Sequence, residues 1–437
     1  MASLRAAHRA RRAGTFRLAL LGTGAAVCTA ALLAGCSSGS GTPEGGKTKI
    51  TVGAFGDFGY HDLYAEYERQ HPDIDIVERL KAFEDHHTSL TAHLATGQGA
   101  ADIEAIETGF IARFKARPQH FVNFLDHGVD NANDQWLPWK WDQSLSVDGK
   151  SQIGLGTDVG GLAMCYRPDL FEKAGLPTDR NAVARLWPDW NGYFEAGARY
   201  TARAPAGTAW FDAGSNVFNA RIGQLPLAYY DASNRLIVDS NPAVREVWDQ
   251  VTAAVEDGQS AELAPFTNDW NIAFQKSRFA TITCPSWMTA FIQDQAKSSA
   301  GKWDVTTVPG DSGNWGGSFL TVPKQGKHID EAVDLARWLT APEQESTIFK
   351  KSGNLPSRPA LYKEPAIKNL RKPFFNDAPV GKIFTSSALK LKPQPQGPKT
   401  GEIMVAFVNG MARVEQGSES PQAAWNTVMA DIEHAAR

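Results

Sequence analysis

Cysteine is scarce, with four in 437 residues. Two of the four, Cys28 and Cys36, sit at the very start. That excludes a disulfide-stapled mini-domain and leaves stability to hydrophobic cores. An excess of positive charge is also missing, since Lys+Arg number 44 against 48 Asp+Glu. Nucleic acid as a partner is therefore not expected, because phosphates call for clustered Lys and Arg. No apolar run after residue 35 is long enough to span a bilayer. There is no internal repeat, no G-x-S-x-G elbow, no phosphate-cradling P-loop and no dinucleotide fingerprint. Hydrolase, nucleotide-binding and solenoid readings lose their usual signatures together.

What is present begins with a leader. Arg5, Arg9, Arg11, Arg12 and Arg17 precede an apolar run from Leu18 to Ala34, with no acidic residue in 1–35. This is the plan of an export signal. Leu33-Ala34-Gly35-Cys36 resembles the bacterial lipobox, which implies that Cys36 is lipidated and begins the mature chain. The following "SSGSGTPEGGK" has the composition of a flexible tether, so 36–47 is expected to link a lipid anchor to the folded part. Without the leader, 402 residues remain, with 39 basic against 48 acidic and a net charge of −9. A chain of that size exceeds the roughly 250–300 residues at which single cores stop growing, so two lobes are expected.

The first lobe reads as strand and helix in alternation: "KITVGAF", "HDLYAEYERQHP", "DIDIVERL", "HTSLTAHLATGQ", "ADIEAIETG", "FIARFKAR". Alternation of this kind predicts an α/β layer with a mainly parallel sheet. Ligands gather beyond the carboxyl ends of such strands. That rule points to "FGDFGY" at 55–60, "KAFEDHH" at 81–87 and "ETGF" at 107–110. At the other end, "TGEIMVAFVNGMARVEQG" and "SPQAAWNTVMADIEHAAR" predict two amphipathic helices, the second opening on Pro421.

All thirteen Trp lie beyond the leader, many beside Gly, Asn, Asp or Pro, as in "DQWLPWKW", "TAWFDAG", "TNDWN", "CPSWM" and "SGNWGGS". A flat ring in a polar loop suits a sugar, which has apolar C–H faces and a polar rim. About a third are expected to line a site and the rest to anchor cores. Cys165 in "GLAMCYR" and Cys284 in "RFATITC" lie in strand-like runs. They read either as a disulfide or as two separate buried thiols. "EDHH" at 84–87 contains metal-ligand types, but adjacent helical histidines diverge by about 100°, and no metal site is expected.

"QIGLGTDVGGLAMCYRPDLFEKAGLP" at 152–177, with "ATGQGAADIEAIETGFI", "LWPDWNGYFEAGARYT", "FQKSRFATITCPSWM" and "GGSFLTVPKQGKHIDEAVDLARWLTAPEQESTIFKKSGNLPSRP", resembles extracellular solute-binding protein family 1. These are sugar-binding components of ATP-driven importers, the family that includes maltose-binding protein. The usual Gly-Lys-x-Ala-Met before the late strand reads Ser277-Arg278-Phe279-Ala280-Thr281 here, and the first loop is "GDFGY". The resemblance implies a two-lobed, periplasmic-binding-protein-like α/β fold, each lobe a mainly parallel sheet flanked by helices and joined by a multi-segment hinge. It implies lobe one at 48–158 plus 312–355 and lobe two at 159–311 plus 356–437.

It also implies a site with three sets of walls. Lobe one would offer Phe55, Asp57, Phe58, Glu84, Asp85, Glu107 and Phe110. Lobe two would offer Trp210, Asp212, Trp270, Asn271 and Trp287, and the crossovers Asp158, Trp315, Gly317 and Ser318. Aromatic faces would stack on sugar rings, while carboxylates and amides would bind hydroxyls. Asp158 and Trp287 stand out, each following a strand-like run. The implied partners are an oligosaccharide and the transmembrane subunits of an importer, with no cofactor, and the protein acting as a monomer on the outer membrane face. Several phrases look like a high-GC Gram-positive branch linked to β-linked sugars, especially cello-oligosaccharides, with chito-, xylo- and malto-oligosaccharides open. The competing reading is a carbohydrate-active enzyme drawing a carboxylate pair from Asp57, Glu84, Glu107, Asp158 and Asp212.

Overall fold

A computed structural model describes residues 46–129 and 133–436. The leader 1–35, most of the tether and Cys36 lie outside the described residues. Among the described residues there are eleven strands: β1 Thr48–Ala54, β2 Ile74–Leu80, β3 Ile103–Glu107, β4 Gly154–Gly156, β5 Asp158–Val159, β6 Leu162–Tyr166, β7 Ala209–Phe211, β8 Phe279–Pro285, β9 Asp304–Thr306, β10 Ser318–Thr321 and β11 Leu355–Pro356. They form one sheet of order β2-β1-β3-β10-β4, another of order β7-β8-β6-β9, and the short pair β11-β5.

The first sheet is wound by helices α1 His61–Gln70, α2 Phe83–Thr96 and α3 Thr108–Lys115, which alternate with its first three strands. β1 is parallel to β2 and β3, as crossover helices require. Only β10 runs antiparallel. In the second sheet β7 and β8 are parallel and only β6 runs against its neighbours. Each sheet is therefore mainly parallel. In each, the reversed strand is the one the chain enters directly after passing over from the other sheet.

Strand periodicity explains the cores. Successive side chains leave a strand on opposite faces. Ile103 and Ala105 accordingly join a core with Ile50, Val52, Leu320 and Leu335, while Ile106 joins one with Leu90, Phe110 and Phe319. Along β6, Met164 and Tyr166 pack on one face, Ala163 and Cys165 on the other. Cys284 lies on that second face, and Cys165 and Cys284 form a disulfide. The tail helices, α8 Thr400–Glu415 and α9 Pro421–Ala436, close the Met164 face through Ile403, Phe407, Met411, Trp425 and Val428. They follow, along the chain, α4 Pro138–Ser144, α5 Gly214–Ile222, α6 Ile329–Leu339 and α7 Pro342–Ser352.

Three segments pass between the sheets: β5, the stretch 313–317, and β11. Asp158↔Pro356 and Val159↔Leu355 pair β5 with β11. Trp315 N–H donates to Gly160 O at 2.9 Å, and Gly160 N–H donates to Asn314 Oδ1 at 2.9 Å. A Cβ at Gly160 would overlap the Trp315 carbonyl. Gly317 has φ +102, and a Cβ there would lie 2.6 Å from Asp158 O. Glycine is required at both, for lack of space at one and for backbone sign as well at the other. Among the described residues no helix is long and apolar enough to cross a membrane.

Candidate functional site

The cleft between the lobes holds a cavity of about 80 Å³. At roughly 10–15 Å³ per water this takes about six waters, on the order of one sugar ring. Glu107 and Thr108 reach it from the junction of β3 and α3, Trp139 and Gln143 from α4, and Trp315 from the second crossing. Tyr229 and the proline-punctuated strap Leu391–Gln396 form the facing wall. The strap is pinned by Gln394, whose Nε2 donates to the carbonyls of Ile222, the last residue of α5, and Leu225, just past it.

Three residues of this lining, Gln143, Tyr229 and Gln396, each carry a buried side-chain atom, Oε1, Oη and Oε1 in turn, with no protein hydrogen-bond partner. Burying such groups unpaired is unfavourable by about 1–3 kcal/mol each. A turn of each side chain toward the cavity would pair it with a hydroxyl of a bound molecule, and Trp139 and Trp315 line the same cavity with apolar rings.

The first-lobe wall is set by a chain of local bonds. Glu107 caps α3, accepting the Gly109 N–H at 2.6 Å. Its own N–H donates to His87 Nε2 at 3.1 Å, so His87 carries its proton on Nδ1, which donates to Phe83 O at 2.7 Å. Burial holds the His87 imidazole neutral, down at about 3, and its ring stacks on Phe110 at 4.1 Å. Burial pushes Glu107 up to about 7 against the opposing effects of Gly109 N–H and Lys140. Lys140 is itself buried, lowered to about 8 by desolvation, and donates to Thr108 Oγ1 at 3.2 Å. His86 donates to Ala105 O at 2.7 Å. Both histidines are engaged by backbone, and no group of three or more metal-ligand side chains occurs among the described residues.

Of the residues expected at the site, Glu107 and Trp315 line the cavity. Trp287 stands beside Trp315, with centroids 5.7 Å apart and its Nε1–H donating to Trp315 O at 3.2 Å. Gly317 and Ser318 belong to the crossing and to β10. Phe55 is half-buried against Phe58 and Phe83, each at 5.3 Å. Phe58 and Phe110 are buried. Asp57 is exposed and accepts the Gly59 N–H at 2.7 Å. Glu84 and Asp85 are exposed in the first turn of α2. Asn271 is half-buried, with Oδ1 unpartnered.

Four expectations need correction. Trp210 is fully buried among Phe171, Trp187, Tyr193 and Tyr200, a core anchor rather than a platform. Trp270 is equally buried, and its Nε1–H donates to Asp212 Oδ2 at 2.8 Å. Asp212 serves that ring and the Asn216 amide from inside the core. Asp158 is a bracket of the hinge: Oδ1 accepts from Ser318 N–H and Thr157 Oγ1, and Oδ2 accepts from Asn354 Nδ2. Trp139, Gln143, Tyr229 and the strap were not singled out in the sequence. "DQWLPWKW" carried a signal, since a helix opening on Pro138 turns Trp141 inward and leaves Trp139 half-buried. The strap "LKPQPQ" carried none.

Residues 62–375 match the profile of the bacterial extracellular solute-binding proteins. A crystal structure described as an extracellular solute-binding protein family 1 is 45% identical, with TM-score 0.78, covering 89% of this chain and 100% of that one. The arabinooligosaccharide-binding protein of Bacillus subtilis (strain 168) is 24% identical over 330 residues, 72% of this chain and 74% of its own. The ABC transporter-associated binding protein of B. animalis subsp. lactis Bl-04, in complex with β-1,6-galactobiose, shares the fold at TM-score 0.76 and 19% identity, covering 89% of this chain and 98% of that one.

Proposed function

The chain belongs to the bacterial extracellular solute-binding proteins, and we propose that it captures an oligosaccharide between its lobes for an ABC-type importer. The observation that carries this is the cavity wall, where Trp139 and Trp315 stand among Gln143, Tyr229 and Gln396, three side chains that each hold a polar atom without a protein partner. Ring faces and unpaired hydrogen-bonding groups in one small cleft match the alternating surface of a sugar. The names of the relatives, with arabinooligosaccharide and galactobiose among their ligands, point the same way.

Lobe one is taken as 48–158 with 312–355, and lobe two as the rest. A site divided between them completes its contacts only when they close, so ligand shifts the population toward the closed form. Lipidation at Cys36 would hold the protein at the outer membrane face, where the permease subunits can receive the closed form. The resemblance of "ADIEAIETGFI", "GLGTDVGGLAMCYR" and "WNIAFQKSRFATITCPSW" to a branch of the family linked to cello-oligosaccharides is what favours a β-linked, cello-type sugar.

Calorimetric titration against cello-, arabino-, galacto-, xylo-, chito- and malto-oligosaccharides, followed by chromatography of the recovered sugar, tests the reading. One sugar bound per chain and recovered intact is expected. Cleaved or transferred sugar at catalytic rates would establish the enzyme instead.

A further inference from the structure

Phe266 is 55% exposed and holds φ +64. The left-handed region is rare for any non-glycine residue and rarer for a bulky one, and a large ring in water adds a second unfavourable feature. A glycine would remove both. Residues in such conformations persist where the surroundings fix them, and they cluster at binding sites.

The surroundings are aromatic. The Phe266 ring lies 5.0 Å from Trp270 and 6.1 Å from Phe291, which join the core of the second lobe. It lies 6.3 Å from Trp287, with planes 29° apart. Trp287 in turn lies 5.7 Å from Trp315, which lines the cavity. Phe266, Trp287 and Trp315 thus form a continuous run of rings from solvent into the cleft. The next helix, Asn268–Gln275, is capped by Thr267, which puts Phe266 at N′ and Asn271 at N4. Those two positions face each other at a helix start. Asn271 Oδ1, at the second of these positions, is buried without a protein partner.

We propose that Phe266 and Trp287 form an outer carbohydrate subsite, receiving a sugar ring of the same oligosaccharide where it projects beyond the cavity. This rests on the oligosaccharide reading above. The cavity accommodates on the order of one ring, so the remainder of a longer chain must lie outside it, and the aromatic run continues in that direction. Flat faces suit the C–H side of a pyranose or furanose. Phe266 then sets preference for chain length rather than for the ring held in the cavity.

Calorimetric titration of the full chain with cello-oligosaccharides and arabino-oligosaccharides of two to six residues tests this. In the wild type, affinity should rise along whichever series binds. Phe266→Ala should lower affinity for the longest chain about tenfold while leaving the shortest bound chain within about twofold. Phe266→Tyr should restore the rise. Phe266→Gly should lose it as the alanine variant does yet raise the thermal midpoint, because glycine accepts the backbone conformation. Equal losses at every length would show that Phe266 only supports Trp287, and unchanged affinities would show that sugar does not reach it. Either result overturns the outer subsite while leaving the oligosaccharide reading intact. A wild type that binds neither series, nor any sugar of the wider panel, overturns both.

Discussion

Asp158 Oδ1 accepts the Ser318 backbone N–H at 3.0 Å, so one buried carboxylate ties the first interlobe crossing to the start of β10. Its other oxygen accepts from Asn354 at 3.4 Å, just before the third crossing. Removing it leaves buried donors unpaired near Lys140. Asp158→Ala is expected to lower stability by about 1–3 kcal/mol, with urea unfolding as the measurement. An affinity loss without a stability loss would return Asp158 to the ligand.

Two pairs of tryptophans should behave oppositely. Trp139→Ala and Trp315→Ala should each weaken sugar binding by about tenfold or more with the thermal midpoint of the ligand-free protein little changed. Trp210→Ala and Trp270→Ala should lose about 3–5 kcal/mol of stability, because each empties a packed core. Titration and thermal unfolding of the four variants side by side check this.

Arg113 of α3 pairs with Glu402 of α8, while Phe110 Cε1 would lie 2.5 Å from a Cβ at Gly401. Both charged groups are about a quarter exposed, so the pair is worth up to about 1 kcal/mol. Arg113→Glu should favour the open form and weaken sugar binding up to about fivefold. Adding Glu402→Arg should recover most of the loss, measured as affinity and as radius of gyration.

The buried histidine gives a signed pH effect. The His87 pKa of about 3 lies below its ordinary 6.5, so between these values the unfolded chain binds a proton that the folded chain does not. Stability therefore falls as pH drops through that window. His87→Gln can still donate to Phe83 O and accept from Glu107 N–H, so the acid-side loss should be shallower in that variant. Glu345 has the opposite sign. Raised to about 8 by burial, it removes stability as pH rises from its ordinary 4.5 toward 8, and Glu345→Gln should flatten that limb. Unfolding free energies from pH 3 to 9 check both.

The first lobe was legible because its strands and helices are local patterns. "KITVGAF" and "HDLYAEYERQHP" became β1 and α1 within a few residues. Glu107 was legible by a geometric rule, since the end of a parallel strand faces the cleft. The tryptophans were not, because a ring beside Asp or Asn looks the same in a loop as in a core with one polar partner. Trp270 next to Asp269 and Asn271 turned out to have its partner, Asp212, 58 residues away. The strap was illegible for a related reason. Its place opposite Glu107 comes from Gln394 hydrogen bonds to carbonyls about 170 residues earlier, and no local pattern encodes them.

The central claim is that a sugar lies between the lobes, and a crystal structure of the protein saturated with the oligosaccharide selected by titration tests it most directly. A sugar ring stacked on Trp139 or Trp315 is expected, with hydroxyls on Gln143 Oε1, Tyr229 Oη or Gln396 Oε1. A sugar bound to the outer surface of one lobe, with those three atoms still without a partner, would contradict it.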